Sequence, residues 1–120
     1  MIGSAVAEIE DAVRLREAVR RLVASAPVEQ IVLFGSRARG DFTEDSDFDL
    51  CVILRDDIPA GVFTPATLWA QVADLGLTIQ IVPLRRSRFE AAKNDPSSIS
   101  YQIAHEGIPL HARYRYRSPV

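Results

Sequence analysis

"IVLFGSRARGDFTEDSDFDLCVIL", residues 31–54, decides the reading of this chain. Its two ends are apolar and partly β-branched, the composition of buried strands. Residues 31–34 read as a first strand, and Gly35-Ser36 breaks it. Residues 36–40 read as a short helical turn, followed by a polar loop through Ser46. Residues 48–54 read as a second strand. Side chains two apart on a strand share a face, so Phe48, Leu50, Val52 and Leu54 line one side. Asp47 and Asp49 share the other side, continued by apolar Cys51 and Ile53. The strand is therefore expected to be buried on both faces, with its carboxylates at the rim.

Outward from this stretch, residues 5–26 have helical spacing. Ala12, Leu15, Val19, Leu22, Val23 and Ala26 form the apolar stripe, and Pro27 ends it. Thr64-Pro65 offers a capping hydroxyl followed by proline at the first helical position. Leu68, Val72 and Leu75 then predict one helix, closed by Gly76. Residues 77–84 read as a third strand. Ser87-Arg88-Phe89-Glu90 matches a capping box for a short helix. Asp95-Pro96 starts another helix carrying Ile99 and Ile103 up to Gly107, and residues 108–110 add a short edge strand. The expected fold class is α/β in the α+β sense: a small mixed β-sheet of three or more strands flanked by helices.

The chain has 120 residues, 48% hydrophobic and 25% charged, which suits one core and no second domain. The expected division is a single domain over residues 1–112 and a basic, aromatic tail over 113–120. The net charge of -2 gives no global field for nucleic acid, so direct nucleic-acid binding is not expected. The N-terminus is acidic where a signal peptide would be basic, and no apolar run is long enough to span a bilayer. Cys51 is the only cysteine, so no internal disulfide forms. Together these features predict a soluble cytoplasmic protein without membrane contact.

Side by side and unpaired, Asp47 and Asp49 repel and raise each other's pKa. Either nearby arginines neutralise them or a cation does. Oxygen ligands at a loop–strand boundary suit Mg²⁺, which takes a few carboxylates together with substrate phosphates. On the phosphate side, Gly35 permits close backbone approach, Ser36 adds a hydroxyl, and Arg37 and Arg39 offer bidentate contacts. The pairing points to a nucleoside triphosphate handled by metal-assisted transfer. Either half alone would be structural: Gly-Ser turns are common, and an Asp-x-Asp at a strand edge is usually a solvated rim. The alternative phosphate loop GxxxxGK[ST] is absent.

Gly35-Ser36-x-Ala38-Arg39-Gly40 followed by Ser46-Asp47-x-Asp49-Leu50 resembles the signature of the DNA polymerase beta-like nucleotidyltransferases. It is most similar to the minimal nucleotidyltransferases of bacteria and archaea. The resemblance implies that Gly35 and Ser36 hold a triphosphate and that Asp47 and Asp49 bind Mg²⁺. It also implies a third carboxylate on the next strand. Here that strand reads LTIQIVPL, and the matching position is Gln80. No acidic residue stands between Gly76 and Phe89, so a shift of register does not restore the triad.

Stand-alone proteins of this kind resemble the nucleotidyltransferase halves of toxin–antitoxin modules, whose partner is a helical HEPN-type RNase. The resemblance implies transfer of AMP from ATP to a tyrosine hydroxyl of that partner. Two readings stay open. The first is an ATP- and Mg²⁺-dependent enzyme acting on a protein hydroxyl. The second is a docking module of the same fold, inactive or weak because of Gln80. A transferase for a small molecule such as an aminoglycoside ranks below both, since little chain is left for a substrate domain. A homodimer is a further expectation, with Trp69 and the last helix as candidate surfaces. His105 and His111 lack metal-ligand spacing and read as structural or surface residues. Arg85, Arg86 and Arg88 read as a solvated face, and Tyr114 and Tyr116 as part of a free tail.

Overall fold

The β1–β2 hairpin is the frame on which everything else is hung. β1 (Val28–Phe34) and β2 (Phe48–Leu54) pair antiparallel, with Leu33 opposite Leu50 and Phe34 opposite Asp49. β3 (Ile79–Arg85) joins β2 in parallel, and β4 (Ile108–Ala112) joins β1 antiparallel. The mixed four-stranded sheet has the order β3-β2-β1-β4. The computed structural model describes residues 2–113. The tail residues Tyr114 and Tyr116 lie outside the described residues.

Alternation along β2 sorts its side chains into two cores. Phe48, Leu50, Val52 and Leu54 face one side, with Ala18 and Leu22 of α1 (Ile2–Ser25) and Leu68 of α2 (Pro65–Trp69). Cys51 and Ile53 face the other, with Phe89 of α3 (Arg86–Ala92) and Ile103 of α4 (Ile99–Glu106). Each fully buried aliphatic side chain contributes on the order of 1.5–3 kcal/mol. That double burial explains why the central strand reads as an unbroken apolar run. Gly107 lets the end of α4 close on β1, because a Cβ there would overlap Val32 Cγ1 and the Ile103 carbonyl.

Several local expectations change in the structure. The helix predicted from Thr64 to Gly76 is interrupted. Thr64 caps α2 through the Thr67 amide as expected. After Trp69 the hydrogen bonds shorten to three-residue steps, Gln71 N–H to Leu68 O and Val72 N–H to Trp69 O, and residues Ala73–Leu75 form a 3₁₀ turn. Leu68 and Val72, four residues apart, both stay on the core side and are almost fully buried. Arg21 of α1 fastens the turn by a 2.6 Å ion pair with Asp74. Ser87 is not the cap of α3. It lies inside the first turn, and its amide donates to Asp56 Oδ1 at 2.8 Å, so the acceptor comes from a distant loop. The last helix starts after Ser98, which accepts from the Tyr101 amide, while Asp95 accepts from the Ser97 amide in the preceding turn. β1 begins three residues earlier than its apolar run, because Val28 is buried at the hairpin's far end. Among the described residues, no helix is long and apolar enough to cross a membrane.

Candidate active site at the open end of the hairpin

Gly35 leaves β1 with φ 75° and ψ −158°, a conformation essentially confined to glycine. The Asp49 carboxylate occupies the space where a side chain would stand, and a Cβ on Gly35 would overlap Asp49 Oδ2. The chain needs glycine here for both reasons. A single turn of helix follows, Ser36–Arg39, whose first backbone bonds run from the Ala38 and Arg39 amides to the Gly35 carbonyl at 3.1 and 3.0 Å. The Ser36 and Arg37 amides precede those bonds, as helix geometry requires of leading N–H groups.

The two arginines of the turn have different surroundings. The Arg37 guanidinium lies between the rings of Phe42 and Phe48, 4.4 and 4.3 Å from their centroids. It also donates to the Ser46 carbonyl at 3.1 Å and the Glu44 carbonyl at 3.3 Å. Arg37 thus anchors the loop that delivers Asp47, and its donors are turned into the protein. Arg39 is half-exposed and pairs with Asp41 at 3.3 Å and with Glu106, at the end of the last helix, at 3.1 Å.

Asp49 is partly buried and faces the same side as Cys51 and Ile53. Burial holds its carboxyl above the ordinary carboxylate range, the charge of Asp47 adds to the rise, and Arg39 opposes it. A cation beside Asp49 would relieve both its burial and the repulsion from Asp47. In the parallel pairing Gln80 stands opposite Asp49. The residue paired with Asp49 on β3 thus carries an amide and not a carboxylate. Among the described residues no group of three His, Cys, Asp or Glu side chains could hold a metal. The donor set of Asp47, Asp49 and the Gln80 amide oxygen suits a hard cation that brings further oxygen ligands with it, and does not suit a self-sufficient metal centre.

Across the sheet the order is glycine turn, Asp49, Gln80. The remaining sequence candidates lie apart from it. His105 stacks on Tyr101 at 3.9 Å, with Nδ1 2.9 Å from the Tyr101 carbonyl oxygen. His111 lies in β4, opposite Ile31. Arg85 donates to the Asp56 and Ile58 carbonyls. Trp69 is 49% exposed at the end of α2, so it is a surface residue. Sequence reasoning did not single out Phe42, Phe48 or Glu106. An alternating strand pattern does not reveal that Phe48 faces a guanidinium, and Glu106 reaches Arg39 only through the folded path of the last helix.

The nucleotidyltransferase domain family model matches residues 13–99, a span that contains Gly35, Asp47, Asp49 and Gln80. No curated protein matches the chain. Among solved structures, a candidate nucleotidyltransferase from Sulfolobus solfataricus is 20% identical. It covers 83% of this chain and 78% of its own, with a TM-score of 0.55. A toxin–antitoxin crystallised with AMP-PNP is 21% identical, covering 81% of this chain and 73% of its own, with a TM-score of 0.56. At such identities the likeness is one of fold. The family match over most of the chain, on a mixed sheet whose hairpin end joins a glycine turn to an acidic pair, makes this chain a member of the nucleotidyltransferase domain family.

Proposed function

We propose that this protein transfers a nucleotide, AMP from ATP with Mg²⁺, to a hydroxyl of a partner protein. In this reading it acts as the antitoxin of a helical HEPN-type RNase toxin. The observation that carries the transferase reading is the seating of the Asp49 carboxylate on Gly35, which puts the acid and the phosphate turn at one point. The Ser36 hydroxyl and the leading amides of the turn receive the triphosphate, with Arg39 at its edge. Arg37 serves from behind, holding the loop. Asp47 and Asp49 hold Mg²⁺, which supplies charge stabilisation at the transferring phosphorus. The acceptor oxygen bonds to the α-phosphorus, the bond to the β-phosphate breaks, and pyrophosphate leaves. The acceptor proton passes to water, because an amide at position 80 cannot take it.

A protein partner is supported by the exposed Val6, Ile9 and Val13, spaced on one outer face of α1, and by the fold likeness to a toxin–antitoxin structure. The second reading, docking without catalysis, is favoured by Gln80 alone. General-base assistance is worth about 10²–10⁴-fold in typical enzymes, so wild-type transfer is expected to be slow. Calorimetry with ATP and Mg²⁺ tests the binding half, and Asp49→Asn should abolish the Mg²⁺-dependent part. Incorporation of labelled nucleotide into a candidate partner tests the rest. Gln80→Asp should raise it, and a fast wild-type reaction that Gln80→Asp fails to improve would refute the role given to position 80.

A further inference from the structure

The side of the site opposite the phosphate turn is open. β3 is an edge strand, and a groove of about 470 Å³ runs along it, lined by Pro65, Ala66, Trp69, Gln80, Ile81 and Val82. The backbone of this edge has a definite pattern. The Phe48 amide donates to the Thr78 carbonyl, so Thr78 faces β2. Alternation along a parallel strand then turns Gln80, Val82 and Leu84 toward β2, and Ile79, Ile81 and Pro83 outward. Pro83 agrees, since a proline within a sheet turns its nitrogen to the open side. Among the described residues no backbone group pairs with Ile79 or Ile81 from that side. The edge therefore turns the N–H and C=O of Ile81, a groove residue, and of Ile79, 4% exposed beside it, away from β2, and it stops at Pro83.

In-line displacement fixes which way an acceptor must come. The leaving pyrophosphate lies toward Gly35 and Ser36, so the attacking oxygen enters from the far side of the phosphorus. Across the sheet, the far side of Asp49 is Gln80, and beyond Gln80 lies the groove. We infer that the free edge of β3, with Trp69 as its wall, is the acceptor site, and that its ligand is an extended polypeptide segment. The segment adds to β3 by backbone hydrogen bonds, seats an apolar or aromatic side chain on Trp69, and presents its hydroxyl past Gln80. Main-chain bonds of this kind supply affinity, and alternate side-chain pockets supply selectivity. A small polar acceptor such as an aminoglycoside finds no charged group among the groove's lining residues. The inference rests on the transferase reading for its direction of attack but not for its docking chemistry.

The test uses capped heptapeptides with one central tyrosine and apolar residues at alternating positions, each made also with alternate backbone amides N-methylated. Labelled protein is titrated with these peptides while the Ile79 and Ile81 amides and the Trp69 indole are followed by NMR. The expected result is shifts and exchange protection at these groups. Trp69→Ala and the N-methylated peptides should each weaken binding about tenfold or more, the scale of an interface anchor, and Trp69→Phe should restore most of it. ATP–Mg²⁺ affinity, measured separately, should be unchanged by Trp69→Ala. Peptides that leave Ile79 and Ile81 unperturbed, or that bind equally well after N-methylation, overturn the inference. Absence of peptide binding at the edge of the wild-type protein, with its ATP–Mg²⁺ binding intact, refutes this site alone. Edge binding without any ATP–Mg²⁺ binding refutes the transferase reading and leaves the edge in place.

Discussion

The two ends of β2 are built to opposite rules. From Leu50 to Leu54 every side chain is buried, apolar neighbours fill both faces, and the Arg55 amide closes the hairpin's far end on the Pro27 carbonyl at 3.1 Å. At the Phe48 end the same strand carries a carboxylate pushed out of its ordinary range, laid against a glycine in a glycine-only conformation. One end lowers the free energy of folding. The other raises it locally and is held in place by what the first end contributes. Such a division is what a ligand site on a stable frame requires.

The contrast can be broken most severely at the core end. Leu50→Ala, at a fully buried position, should cost about 2–5 kcal/mol of stability by urea denaturation. Gly35→Ala comes next, costing about 1–3 kcal/mol for the forbidden backbone conformation and the overlap with Asp49. Its signature is loss of ATP–Mg²⁺ binding while the far end of the sheet keeps its hydrogen-exchange protection. Arg37→Ala should cost about 1–2 kcal/mol through its ring stacking and carbonyl bonds, and it should speed exchange in the 41–47 loop. Arg37→Lys should restore little, because an ammonium cannot fill the slot between two rings.

Smaller effects sharpen the comparison by their sign. Asp49→Asn should raise the Tm of the ligand-free protein by roughly 1–4 °C, the scale of a fraction of a kcal/mol in a chain this size. A fall in Tm would mean that Asp49 is structural. Cys51, two residues along the same face, gives the smallest effect. Burial pushes its thiol from the ordinary 9.0 up to about 12. The unfolded chain loses that proton first, so the stability contribution is complete below pH 9 and falls as pH rises toward 12. Cys51→Ala should flatten that part of the pH profile, and thiol reagents at pH 8 should leave the native Cys51 unmodified.

Period-two alternation made β2 legible residue by residue, because a strand buried on both sides has nowhere to place polar groups except its rim. The cap at Thr64 was legible because its partners are three residues away. The caps of the last two helices were misread for the converse reason. Ser87 has the right local spacing, yet the acceptor that closes its turn comes from Asp56 across the fold. The single helix expected over residues 64–76 failed because periodicity records which residues face the core, and Leu68, Val72 and Leu75 keep that facing whether the backbone bonds run in four-residue or three-residue steps.

The sequence alone determined the strand pair, the glycine at its break, the acidic couple on one face and the amide at position 80. These follow from local sterics and side-chain alternation, which the chain carries wherever it goes. Only the tertiary structure decided what those residues meet. The hairpin register laid Asp49 on Gly35, the loop path placed Arg37 between Phe42 and Phe48, and the parallel pairing set Gln80 opposite Asp49. Among the described residues it also left the outer edge of β3 without a paired strand. Contacts between residues far apart in sequence depend on sheet order and closure, which are fixed by the packing of the whole core and by no local segment of it.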